Sequence, residues 1–121
     1  MKIGELAERT GTTPRQVRFM IAEGFVPAPR GGRANADYGE DHLAAVNRYL
    51  RLRELGFPPA AITVLLQSGA GAPFPVAPGI TLVVTPENIG QPLDVPALTR
   101  KLEAVLTSVA ATATEDVSGA D

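Results

Sequence analysis

The sequence contains no cysteine and a single histidine. The first absence excludes disulfides, thiolate metal sites and cysteine nucleophiles, and it fits a reducing, cytoplasmic setting. The second leaves too few nitrogen ligands for a zinc-type centre. No apolar run approaches the length of a membrane span. The opening segment MKIGELAERTG is amphipathic and charged, unlike a signal peptide. Basic residues are scarce in the second half. Met1 to Pro58 carry nine Lys/Arg against seven Asp/Glu, a net of +2, whereas Pro59 to Asp121 carry two against six, a net of −4. The net charge of −2 argues against a non-specific nucleic-acid binder, and any phosphate contact belongs to the first half. The carboxylates are scattered rather than paired. His42, beside Glu40 and Asp41, reads as a surface or capping residue. GAGAP lacks the lysine and the strand–helix context of a phosphate loop. These absences point away from an enzyme and from any cofactor or metal.

The 121 residues suit one compact domain, or a small domain with an appendage. Ile3, Leu6 and Ala7 form the apolar face of a first helix, ended by Gly11. Thr13 restarts the helix as an N-cap, Pro14 occupies the first turn without loss of a hydrogen bond, and Thr13 with Gln16 forms a capping box. Val17, Met20 and Ile21 face the core of this second helix, and Gly24 closes it. Helix, glycine turn, short helix is the helix-turn-helix layout. Arg15 and Arg18 share the face turned away from that core, with Gln16 at its start. Arg, Gln and Thr at the start of a second helix are donor types used for phosphates and base edges. An ordinary solvated helix face would also carry such arginines. The segment FVPAPRGGRANADYGEDH then reads as a short hairpin or wing, reversed at Gly31–Gly32, with Arg30 and Arg33 near its tip.

A third helix is expected from Glu40 or Asp41 to Leu55, and a fourth from Pro58–Pro59 to Gly69 with Ile62, Leu65 and Leu66 inward. Residues 69–79 are too rich in Gly, Pro and Ala for regular structure and read as a linker. ITLVVT, Ile80 to Thr85, is the one strand expected, with no obvious partner in its own chain. A last helix, from about Pro96 to Ala111, carries Leu98, Leu102, Val105 and Val109 in the 4-3-4 spacing of a coiled-coil seam. It spans only about two heptads, and a helix packed on its own domain would show the same pattern. Residues 114–121 are expected to be disordered.

The segment KIGELAERTGTTPRQVRFMIAEGFVP, followed by a wing and YGEDHLAAVNRYLRLRELGFPPAAITVLL, resembles the DNA-binding domain of MerR-family transcriptional regulators. IGELAERTG, VRF, Gly24, Tyr38 and LRELGF carry the resemblance, which covers about Met1 to Leu66. It implies a mostly α fold: a winged helix-turn-helix, two further helices, and a helix that dimerises as an antiparallel coiled coil. It implies DNA contacts from Thr13, Arg15, Gln16, Arg18 and Phe19, a wing around Arg30 and Arg33 along the backbone, and Tyr38 as its anchor. Three features depart from the family pattern. Met20 stands where an aromatic residue is usual and cannot donate a hydroxyl to phosphate. Ala36 and Asp37 stand where the wing usually carries arginines, and Asp37 should repel phosphate. No long helix follows Leu66 directly.

The expected organisation is a DNA-binding domain over residues 1–68, a linker over 69–79, and a strand and helix for dimerisation or partner binding over 80–113. The expected function is a cytoplasmic transcriptional regulator that binds a palindromic promoter site in double-stranded DNA as a homodimer, with RNA polymerase or an unknown protein as a further partner. Two other readings stand beside it. One is a protein-interaction module that keeps the winged helix as a scaffold; the other is an excisionase-like architectural DNA binder.

Overall fold

A computed structural model describes residues 1–120, the side chains of Arg33 and of residues 111–120 excepted. The chain divides into two compact units, Met1–Gln91 and Pro92–Asp121. The first opens with α1 (Ile3–Thr10) and α2 (Pro14–Ala22). Gly11 ends α1 with φ 74°, and its amide and that of Thr12 reach back to carbonyls of the last turn. Thr13 caps α2 as expected, its hydroxyl accepting from the Gln16 amide at 3.2 Å. The turn between the helices is thus short because one helix stops and the next starts within three residues, Gly11 to Thr13.

Leu6 and Ala7 of α1 meet Val17 and Met20 of α2, with Phe25 and Val26 of the following turn, in the buried core. α3 (Glu40–Glu54) supplies Ala45, Val46, Tyr49 and Leu52, and α4 (Pro59–Ser68) supplies Ile62. Ile21, Leu65 and Leu66 are only partly buried at the margin of this core. α1 packs on both α2 and α3, so the core fixes the outward direction of the remaining α2 face.

The sequence suggested one strand, and the structure has two. Ala72–Ala77 (β1) pairs antiparallel with Ile80–Val84 (β2), Phe74 opposite Leu82, with an irregularity between Pro75 and Ala77. The segment read as a linker therefore contains the missing partner of ITLVV. Pro73 and Pro75 mask this in the sequence, since proline lacks the donor a ladder needs. Two residues apart, they have nitrogens on the same side of the strand. In a two-stranded ribbon that side can be the outer edge, leaving Ala72 and Phe74 to bond with Val84 and Leu82. Ala72, Phe74 and Val84 tie the hairpin to the core, and the Phe74 ring meets Phe57 edge-on. The hairpin thus belongs with the first unit rather than with the C-terminal helix.

After β2, a 3-10 turn (Pro86–Asn88) returns to α3. The Arg48 guanidinium donates to the Pro86 carbonyl at 2.9 Å, and Ile89 is buried. Gly90 has φ 82°, and a Cβ there would lie 2.9 Å from the Asn47 carbonyl oxygen. In the second unit, α5 (Val95–Ala120) has helical backbone beyond the end expected near Ala111. Asp94 accepts from the Ala97 amide at its start. The segment 114–121, expected to be disordered, falls on the residues whose side chains are excepted and on Asp121, outside the described residues.

Candidate nucleic-acid interface

The exposed face of α2 is built by elimination. Val17 and Met20 are drawn into the core, which leaves Thr13, Arg15, Gln16, Arg18 and Phe19 exposed. Phe19 is 42 % exposed, yet its ring lies 6.5 Å from Phe25, which in turn packs on Tyr49 at 4.5 Å. The helix is therefore braced at Phe19 while its polar side stays open.

The arginines of this unit divide into two groups. Arg9 pairs with Glu5 and Glu40, Arg30 with Asp41, and Arg51 with Glu54. Arg48 and Arg53 donate to backbone carbonyls of Pro86 and Phe57. Among the described residues, Arg15 and Arg18 have neither kind of partner. Their charge has neither a carboxylate nor a carbonyl partner, and Thr13 and Gln16 beside them in the sequence are neutral.

The loop after α2 is closed by one antiparallel bridge between Arg30 and Asp37, with both backbone hydrogen bonds formed at 2.9 and 2.8 Å. Gly31, with φ 82°, lets the chain reverse, and a 3-10 turn (Arg33–Asn35) fills the tip. The tight reversal expected at Gly31–Gly32 is present, closed by a single pair rather than a ribbon. A cleft of about 290 Å³ separates this loop from α2, lined by Lys2, Ile3, Arg18, Ala34, Ala36 and Tyr38. Arg18 and the loop thus border one continuous concave surface, to which Lys2 adds a second cation. Sequence reasoning missed Lys2, which precedes the first helix and approaches the site only through the fold.

Other expected site residues have more specific surroundings. Arg30 turns its guanidinium to the Asp41 carboxylate at 2.9 Å. The side chain of Arg33 lies outside the described residues. Tyr38 is buried with its ring edge-on to His42, centroids 5.3 Å apart. Asp37, expected to repel phosphate, accepts from the Met1 ammonium at 2.8 Å. That hydrogen bond, followed by the charge of the same ammonium, holds the Asp37 carboxyl below the usual range. Its negative charge is thus matched locally. Asp41 is also held low: partial desolvation opposes its ionisation but is outweighed by the hydrogen bond from Arg30 and the neighbouring positive charge.

His42 was expected at the surface or as a cap. It caps, and it is buried: Nδ1 accepts from the Gly39 amide at 3.0 Å, and Nε2 lies 3.0 Å from the Ala28 carbonyl oxygen. The acidic N-terminus of α3 signals a cap in the sequence, but the reach to Ala28 is a tertiary contact with no sequence signature.

Leu98, Leu102, Val105 and Val109 are all exposed on α5, as are Val95 and Leu106. Within their own unit nothing covers the stripe. No helix among the described residues is long and apolar enough to cross a membrane.

No curated protein and no solved structure matches the chain. A family model described as MerR HTH family regulatory protein matches residues 1–69. The match ends where α4 ends, and so takes in both helices of the helix-turn-helix, the Arg30–Asp37 loop and the two helices that brace them. With more than half of its length matched, and with Arg15 and Arg18 exposed on the open face of the second helix, the chain belongs to the MerR family of helix-turn-helix regulatory proteins.

Proposed function

We propose that this DNA-binding regulator acts as a homodimer on a palindromic promoter site, with α2 in the major groove and the Arg30–Asp37 loop as a wing along the adjacent backbone. The observation that carries the reading is the division of the arginines. Every other described arginine side chain of the first unit is engaged within the protein, while Arg15 and Arg18 stand exposed and unpaired beside neutral donors. A duplex supplies what this surface lacks: phosphates for charge and base edges for bidentate donors. Thr13 precedes the arginines and Gln16 lies between them at the helix start, where recognition helices make their base contacts. Lys2 and the cleft extend the surface toward the wing. In this reading Arg30 is a residue that holds the wing through Asp41, and Tyr38 anchors the wing from beneath.

The exposed stripe of α5 supplies the dimer contact. Two half-sites in a palindrome require two recognition helices, and helix-turn-helix proteins obtain both through dimerisation. A second reading, a partner-binding module, draws on the hairpin, where Val76, Leu82 and Val83 are exposed apolar residues. Sequencing of genomic DNA recovered with the purified protein separates the two. A recurrent two-fold symmetric site upstream of genes is the expected result. Recovery of no DNA above background would overturn the regulator reading and favour the partner-binding one.

A further inference from the structure

His42 is the only histidine of the chain, and 1 % of it is exposed. Its two ring nitrogens reach the two feet of the wing. Ala28 stands two residues before the Arg30–Asp37 bridge, and Gly39 two residues after it. The Ala28 carbonyl can only accept, so Nε2 must carry the ring proton. The Gly39 amide can only donate, so Nδ1 must be bare. The two bonds coexist only in the neutral ring with its proton on Nε2. The histidine thus staples the segment leading into the wing to the turn that leads out of it and starts α3.

We infer that His42 is a positioning residue for DNA binding, and that uptake of a proton at Nδ1 releases the foot of the wing. This rests on the reading of the Arg30–Asp37 loop as a wing on DNA. The charged and titratable groups around the ring favour an exchange of partners. On its own helix, Asp41 places Oδ1 3.2 Å from Nδ1, and Glu40 is directed to Arg9 of α1. From the loop, Arg30 holds the other Asp41 oxygen. Tyr38 faces the ring edge-on, and the Met1 ammonium binds its carbonyl and the Asp37 carboxylate. Once protonated, Nδ1 opposes the Gly39 amide donor to donor, and the acceptor within reach is Asp41 Oδ1. The imidazolium takes the carboxylate. The Gly39 amide loses its side-chain partner, and Asp41 is shared between the imidazolium and Arg30. The first change acts on the outgoing foot of the wing at Gly39, and the second on the incoming side at Arg30.

The test pairs two measurements on the full chain. In the first, NMR follows the His42 ring nitrogens and the backbone amides of Gly39 and the wing as the pH is lowered until the ring takes up its proton. The Gly39 and Arg30 amides are expected to shift in step with ring protonation. Amides that stay fixed while the ring titrates would overturn the proposal. In the second, fluorescence anisotropy reads the affinity for a duplex carrying the site recovered from genomic DNA as the pH is lowered, for the wild type and for His42→Asn. Asparagine offers an oxygen in the place of Nδ1 and takes up no proton. The wild type should lose roughly five- to tenfold more affinity than the variant, about the loss of one hydrogen bond. Equal losses in the two proteins, with wing amides that move, would overturn the positioning role. Absence of binding at any pH would refute the DNA reading itself. The staple would then be decided by the NMR arm, which needs neither DNA nor the variant.

Discussion

Arg15 and Arg18 are placed by residues buried on the opposite side of their helix. Val17 and Met20 bury one side of α2 and leave the arginines nowhere but solvent. Replacing either arginine with alanine should leave the fold intact and weaken specific binding by roughly 1–3 kcal/mol if it reads a base edge. A phosphate-only role would instead weaken binding about equally on all sequences and reduce the salt slope. Full affinity in the Arg15→Ala, Arg18→Ala double variant would show that α2 does not enter the groove. Asp41 acts through Arg30, and its effect depends on pH. Because its carboxyl is held below the usual range, the folded state favours the carboxylate. The Arg30 pair therefore stabilises fully above the ordinary carboxylate range, and its contribution is lost as the pH falls through the lowered value. Asp41→Asn should flatten the acid side of the curve of thermal midpoint against pH. Superimposable acid limbs in the two proteins would mean that the pair adds nothing. The arginine face was legible because a helix repeats every 3.6 residues and its caps are local. The Arg30–Asp41 pair and the reach of His42 to Ala28 were not. Eleven and fourteen residues separate their partners, and one partner is a backbone carbonyl that every residue possesses.

At the scale of elements, short-range chemistry again separates what the sequence discloses from what it hides. Thr13–Pro14 announces α2 within a single turn, and the structure follows it. β1 is concealed because its prolines look disqualifying until the partner strand shows which side needs donors. The return of the chain to α3 at Ile89 and Gly90 is concealed too, since one buried isoleucine in a loop resembles any other. Gly90 offers a direct test of that return. A methyl group there would meet the Asn47 carbonyl oxygen at 2.9 Å, on a backbone with φ 82°. Gly90→Ala should destabilise the first unit by roughly 1–3 kcal/mol, read as a lowered urea midpoint. An unchanged midpoint would mean that the segment does not hold to α3. The Arg48 bond to the Pro86 carbonyl would then contribute little to the unit.

For the whole molecule, the question is assembly. The apolar stripe of α5 leaves Leu98 51 %, Leu102 45 % and Val105 52 % exposed, too much for a helix with no partner at all. Leu102→Glu would put a charge in the middle of that stripe. The wild type should sediment as a dimer and the variant should shift toward monomer, with DNA affinity falling in parallel. A wild type that is monomeric at about micromolar concentration would sink the dimer. The division of charge, +2 in the first 58 residues and −4 in the rest, leaves the acidic part nothing to gain from lying on phosphate. The prolines of β1 bear on the same question through stoichiometry. An exposed strand edge invites further strands, and a ribbon with two open edges can recruit them without end. With Pro73 and Pro75 along one side, this hairpin has a single side able to donate a ladder. Any edge-to-edge association would consume that side in both copies and leave only proline-lined margins. Such growth is self-limiting: it stops at two.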